Sequence, residues 1–172
     1  VLLSQMPSNL GTFLSTKIVD PHRLQERVAL WRAEGKTIAT LNGSFDLLHA
    51  GHLQIIYEAS LQADRLLVAL NSDSSIKAYK SPKRPIISLE YRLQMMAALA
   101  FVDAVTWFEE TDPRALLECV RPDVHVNGAE YGSNCIEAEI VKKHQGRVHI
   151  VELVPGLSTS KILEKIQALC AS

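Results

Sequence analysis

The segment Asn42-Gly-Ser-Phe-Asp-Leu-Leu-His49-Ala-Gly-His52 gathers groups whose types and spacing suit phosphate chemistry. Gly43 permits a turn that brings the backbone close to a ligand. His49 and His52 are three residues apart, where a loop is expected to pass into a helix, and residues at that spacing share a helix face. The free N–H groups of a helix start already favour an anion, so both imidazoles can reach one phosphate group. Two other readings compete. The histidines and Asp46 could open a metal site, but no further ligand cluster in the sequence completes a tetrahedral or facial set, so no metal ligand is assigned. They could also be histidines without a role. Near the other end, Ser158-Thr159-Ser160 leads into an apolar-periodic segment. One hydroxyl suffices to cap a helix, whereas three in a row at a helix start make a phosphate cradle. The chain has neither a G-x-x-x-x-G-K-[ST] loop nor a G-x-G-x-x-G turn, which excludes an ordinary P-loop or dinucleotide site.

The elements that must position these groups alternate along the chain. Residues 1–19 show no clear period and read as an irregular N-terminal arm; residues 20–172 read as a single domain without repeat or linker. Asp20-Pro21 is a helix start, followed by Leu24, Val28 and Trp31 on one face and closed by Gly35. Short apolar strands are expected over 37–41, 65–70, 104–108, 124–126 and 148–151. Helices are expected through Leu53 to Leu61, Leu93 to Ala100, Leu116-Leu117 and Ile162 to Leu169, with a polar, lysine-bearing stretch over 74–85. Five apolar strands separated by helices predict an α/β fold, a Rossmann-like, doubly wound, five-stranded parallel sheet. Ligands bind such sheets beyond the carboxyl ends of the strands, where strand order reverses. The polar and glycine-rich residues fall on that side: Asn42 to His52, Asn71 to Asp73, and Asn127 to Gly132.

Composition narrows the function classes. The 172 residues are 47% apolar and 22% charged with a formal net charge of −1, which gives no general affinity for nucleic acid or acidic membrane. Any phosphate must be held by a few placed groups. Cys119, Cys135 and Cys170 are odd in number and irregularly spaced, which fits buried thiols in a reducing compartment rather than a disulfide framework. The apolar start lacks the basic flank of a signal peptide, and no segment approaches the ~20 apolar residues of a membrane span. A cytoplasmic location is expected.

The His-x-Gly-His segment after a first strand resembles the signature of the nucleotidyltransferase superfamily that includes cytidylyltransferases and ADP-heptose synthases. Gly156-Leu-Ser158-Thr159-Ser160-Lys161 is similar to that group's Ser-Thr-Ser/Thr motif. Within the superfamily the chain resembles the adenylyltransferases that make ADP-heptose for bacterial lipopolysaccharide, over roughly Lys17 to Ile166. The likeness takes in Val68-Ala-Leu-Asn-Ser-Asp73, Arg84-Pro-Ile, Glu90-x-Arg92, Val102-Asp-Ala-Val105, Phe108-Glu-Glu and Arg121-Pro-Asp123. In many bacteria that activity is fused to a sugar kinase; here it is expected to stand alone. Two departures stand out. The family's usual Val-Lys-Gly-Gly-Asp-Tyr is Val126-Asn-Gly-Ala-Glu-Tyr131, which replaces a cation by a neutral amide, and Ser44 stands where valine is commoner.

The resemblance implies AMP transfer from ATP to a sugar 1-phosphate, D-glycero-D-manno-heptose 1-phosphate, giving ADP-heptose and pyrophosphate. It implies that His49 and His52 hold the triphosphate and steady the transition state. Lys77 and Arg92 become phosphate-neutralising cations, with Lys80 the alternative for the loop role and solvated surface charge the competing reading for each lysine. Asn42, Gly43, Ser44, Phe45, Asp46 and Gly51 join the nucleotide site; Asn127, Gly128 and Glu130 line the nucleotide pocket; Ser158, Thr159 and Ser160 cradle the β- and γ-phosphates. ATP is the nucleotide substrate, and Mg²⁺ is bound mainly through its triphosphate. The family is often dimeric, so a homodimer is an expectation, although no unpaired apolar stripe in the sequence argues for one. A rival is a cytidylyltransferase acting on glycerol-3-phosphate or phosphoethanolamine. Those enzymes carry an Arg-Thr-x-Gly lead into the serine-threonine motif, whereas this lead is Leu153-Val-Pro-Gly156. A rival of another class is a non-catalytic nucleotide-binding protein on the same fold.

Overall fold

The computed structural model describes residues 8–129, 132, 135–152 and 158–170. Strands Ile38–Gly43 (β1), Arg65–Asn71 (β2), Ala104–Phe108 (β3), Val124–Gly128 (β4) and Arg147–Val151 (β5) form one sheet in the order β3-β2-β1-β4-β5. Every pairing is parallel. The expected doubly wound sheet is therefore observed. Its central strands are buried along nearly their whole length, as sequences such as Leu66-Leu-Val-Ala-Leu70 require when helices cover both faces. The edge strand β5 buries only Val151.

Strand order reverses between β1 and β4, which pair through Thr40 with His125 and Leu41 with Val126. Both strands run further than their apolar residues predict, to Gly43 and Gly128, so the two Asn-Gly pairs end the strands rather than follow them.

Helices Ser8–Ser15 (α1), Leu24–Ala33 (α2), Ala50–Ser60 (α3), Asp73–Tyr79 (α4), Leu89–Ala97 (α5), Arg114–Val120 (α6), Ala138–Lys143 (α7) and Thr159–Cys170 (α8) accompany the sheet. One core cluster, with Leu41, Ile56, Val68, Leu93, Met96 and Val126, joins α3 and α5 to the sheet. The other, with Val28, Trp31, Leu67, Leu117 and Val141, joins α2, α6 and α7. Asp20 starts the second helical segment as expected: its carboxylate accepts from the His22 N–H at 2.9 Å over the turn Pro21–Arg23.

Three helices differ from expectation. The supposedly irregular arm contains α1, whose Leu14 is buried in the core, and Ile18 then bridges to Val105. The polar stretch after β2 contains α4, which is capped by Ser72 and buries only Ser75 and Ile76. Helix α7 is six residues long and buries Ala138 and Val141. Helices α4 and α7 bury too few apolar residues to carry a period, whereas α1 has one that is short and easily missed, Leu10, Phe13 and Leu14 at i, i+3 and i+4. Among the described residues no helix is long and apolar enough to cross a membrane.

Candidate active site

A cavity of about 750 Å³ lies at the carboxyl ends of β1 and β4. It brings together Asn42, Gly43, Ser44, Phe45, His49, Gly51, His52, Asn127, Gly128, Ser158, Thr159 and Ser160, more than a hundred residues apart in sequence. Lys80, Arg84 and Glu137 also line it, whereas Asp46, Lys77 and Arg92 do not. Glu130 and the lead Leu153 to Gly156 lie outside the described residues.

The histidine loop is tightly specified. Phe45 holds a left-handed backbone (φ 44°), a strained conformation for an aromatic residue, and is nonetheless buried. Its ring fills the space beside Gly43, where a Cβ would stand 3.0 Å from Phe45 Cε2. The same ring meets His52 edge-on at 5.4 Å. His49 is extended and caps α3, its Nδ1 accepting from the His52 N–H at 3.3 Å. An accepting Nδ1 leaves the His49 proton on Nε2, free to donate elsewhere. The two imidazoles stack with centroids 3.8 Å apart. Burial pushes the His52 pKa down to about 4, and the charges of His49 and Lys80 add to that; burial also lowers His49. Both rings are therefore neutral donors at pH 7 before an anion arrives.

Behind this loop lies a brace that gives two expected ligand-binding residues a different place. Arg92, expected as a cation on the phosphates, is only 1% exposed. Its guanidinium donates to the carbonyls of Ile87 (2.9 Å), Ser44 (2.7 Å) and Asn71 (3.0 Å), and pairs with Asp73 at 2.7 Å. Four acceptors around a planar fork leave little to offer a ligand; Arg92 ties the β1 loop to the end of β2. Its position had a sign in the sequence, since Leu89, Arg92, Leu93 and Met96 share one helical face. Asp46 is likewise 1% exposed and accepts from Arg84 Nε (2.6 Å) and the N–H groups of Ile86 (2.8 Å) and Ile87 (2.9 Å). It anchors the segment that carries Arg84 over the cavity.

Of the two candidate loop lysines, Lys80 reaches the cavity and donates to Ser44 Oγ at 2.9 Å, while Lys77 projects from the exposed side of α4. Burial and then the Arg84 charge lower the Lys80 pKa. The Ser158 hydroxyl accepts from the Lys161 N–H at 3.2 Å, capping α8, and Ser158 lines the cavity beside Thr159 and Ser160.

The β4 end is polar and deep. Asn127 is 4% exposed, and its Nδ2 lies 3.5 Å from Glu137 Oε2. Beneath it His125 is fully buried, with Nδ1 2.8 Å from Thr40 Oγ1. Burial pushes His125 down to about 4 against the opposing pull of Glu137, so it is neutral. Glu137 was not visible as a site residue, because it sits in a stretch with neither period nor motif. Among the described residues no cluster of three or more His, Cys, Asp or Glu side chains could hold a metal ion.

Residues 40–167 match the cytidylyltransferase-like family. The chain belongs to that family. Membership bears out the resemblance carried by the His-x-Gly-His and Ser-Thr-Ser segments, both of which lie inside the matched span. Curated relatives include bifunctional protein HldE of Mesorhizobium japonicum, 43% identical over 88% of this chain and 31% of its own length. The same-named protein of Koribacter versatilis is 42% identical over 95% of this chain and 34% of its own length. The chain thus spans about a third of the length of these relatives. Among solved structures, a lipopolysaccharide core biosynthesis protein from Thermoplasma volcanium is 29% identical with a TM-score of 0.57, over 70% of this chain and 98% of that one. Pantoate-beta-alanine ligase from Francisella tularensis shares the fold at 13% identity and a TM-score of 0.57, over 91% of this chain and 80% of that one.

Proposed function

We propose that this protein is an adenylyltransferase that moves AMP from ATP to a sugar 1-phosphate, D-glycero-D-manno-heptose 1-phosphate, giving ADP-heptose and pyrophosphate. The observation that carries the reading is the single cavity at the switch point joining the stacked His49 and His52 to Ser158, Thr159 and Ser160. The names of the relatives add support, since one neighbour is described as a lipopolysaccharide core biosynthesis protein.

The chemistry is an in-line displacement. A phosphate oxygen of the sugar 1-phosphate attacks the α-phosphorus, the bond to the bridging α–β oxygen breaks, and pyrophosphate leaves with that electron pair. Charge grows on the α-phosphate oxygens and the leaving group, so the protein's work is positioning and charge stabilisation. The histidine N–H donors face the triphosphate, Lys80 neutralises it from the loop, and the hydroxyls of Ser158 to Ser160 hold the β- and γ-phosphates. Mg²⁺ would be held mainly through the triphosphate rather than by protein ligands and would supply charge neutralisation there. The partners are small molecules, and the reaction is cytoplasmic.

Cytidylyl transfer to glycerol-3-phosphate or phosphoethanolamine is the rival reaction, and direct competition decides between them. Pyrophosphate release is expected with ATP and heptose 1-phosphate and little of it with CTP, because a site that leaves a required hydrogen bond unmade discriminates strongly. Faster release with CTP, or with glycerol-3-phosphate as acceptor, overturns the assignment. No release with any nucleoside triphosphate and acceptor establishes the non-catalytic binder.

A further inference from the structure

Glu137 is only 5% exposed, yet it lines the same cavity as His49, His52 and Lys80. A carboxylate presents about four acceptor sites. Among the described residues Glu137 forms no ion pair; its side chain meets Asn127 Nδ2 at 3.5 Å, the outer limit of a hydrogen bond, and the Cys135 thiol, a weak donor, and its charge also reaches the buried, neutral His125. Asp46, equally buried at the other edge of the cavity, shows what a satisfied carboxylate looks like here: three N–H donors reach it within 2.9 Å, one from an arginine. A buried carboxylate whose acceptor sites are left open is costly, and a ligand that brings a donor offsets the cost. The same negative charge repels phosphate, so this end of the cavity takes a part of a substrate that carries none.

We propose that Glu137 is the specificity-determining acceptor of this site, taking a hydrogen bond from an uncharged N–H or O–H donor of a substrate. This inference rests on the adenylyltransferase reading. Such a donor has two sources there, the exocyclic amine of the nucleobase and the hydroxyls of the sugar phosphate. Asn127, held against the carboxylate, orients it.

The test is calorimetric binding to the unmodified protein and to Glu137→Gln. The probes are ATP, purine riboside 5′-triphosphate (which lacks the 6-amino group), and heptose 1-phosphate titrated in the presence of a non-reacting ATP analogue. Losing a charge-assisted hydrogen bond is expected to weaken one of the two substrates by about tenfold or more in Glu137→Gln. If the source is the base, purine riboside triphosphate binds the unmodified protein about tenfold more weakly than ATP, and the gap closes in the variant. If it is the sugar, ATP binding is unchanged and heptose 1-phosphate weakens. Both substrates within about twofold of the unmodified protein overturn the proposal. Should Glu137→Gln fail to melt cooperatively, the comparison moves to ligands on the unmodified protein. There, ATP against purine riboside triphosphate, and heptose 1-phosphate against its deoxy analogues, must show the same loss, and equal affinities overturn the proposal. Binding needs no turnover, so an inert protein would sink the adenylyltransferase reading while the calorimetry still judged Glu137.

Discussion

The ends of β1 and β4 each finish in Asn-Gly and meet across the switch point, yet they are held in opposite ways. Beyond β1, the charged groups behind the histidine loop are engaged: Arg92 spans three carbonyls and Asp73, Asp46 takes Arg84 and two backbone N–H groups, and His49 caps its own helix. In the loop itself Asn42 Oδ1 and His52 Nδ1 are buried without a partner among the described residues. Beyond β4, a buried amide and a buried carboxylate hold one another at 3.5 Å. The braced end spends its hydrogen bonds within the protein, so its few outward donors are fixed before a ligand arrives. Fixed donors are what a developing charge needs, because they require no reorganisation during the reaction. The open end keeps acceptor capacity for a ligand, which is what discrimination needs.

The comparison breaks first at Arg92. Arg92→Ala leaves the carbonyls of Ser44, Asn71 and Ile87 without this donor and Asp73 without its partner, and is expected to cost about 3–5 kcal/mol in urea unfolding. Glu137→Gln, at the other end, is expected to stay within about 1 kcal/mol. Equal losses would mean that both ends are structural. Lysine at position 92 should not restore stability, since its three donors on one atom cannot span acceptors set around a plane.

A smaller effect separates the two loop lysines. Lys80→Ala is expected to raise the KM for ATP about tenfold, the worth of one charged contact, and Lys77→Ala to leave it within about twofold. The reverse order would show that α4 moves Lys77 into the cavity when nucleotide binds.

Much of this was legible from residue types alone. The five strands follow from runs such as Leu66 to Leu70, and the cavity end of the sheet follows from Asn42 to His52 and Ser158 to Ser160. What could not be read was set by contacts distant in sequence. Arg92 is recognisable as a charge near the site, but its role depends on a carbonyl 48 residues away. Asp46 depends on backbone N–H groups 40 and 41 residues on. Glu137 is one acidic residue among many until the turn before α7 brings it to the β4 end, and short α4 and α7 bury too few apolar residues to mark themselves. Apolar period reveals layers; backbone acceptors and donors, present at every residue, carry no such mark.

The division between the two ends is tested most directly by measuring kcat and substrate dissociation constants side by side in His49→Ala, His52→Ala and Glu137→Gln. The histidine variants are expected to lose about 10²–10³ in kcat with much smaller changes in ATP affinity, because their donors tighten in the transition state. Glu137→Gln is expected to weaken one substrate about tenfold with kcat nearly unchanged. Histidine variants that turn over at the unmodified rate, or a Glu137→Gln whose loss falls on kcat alone, would contradict the account.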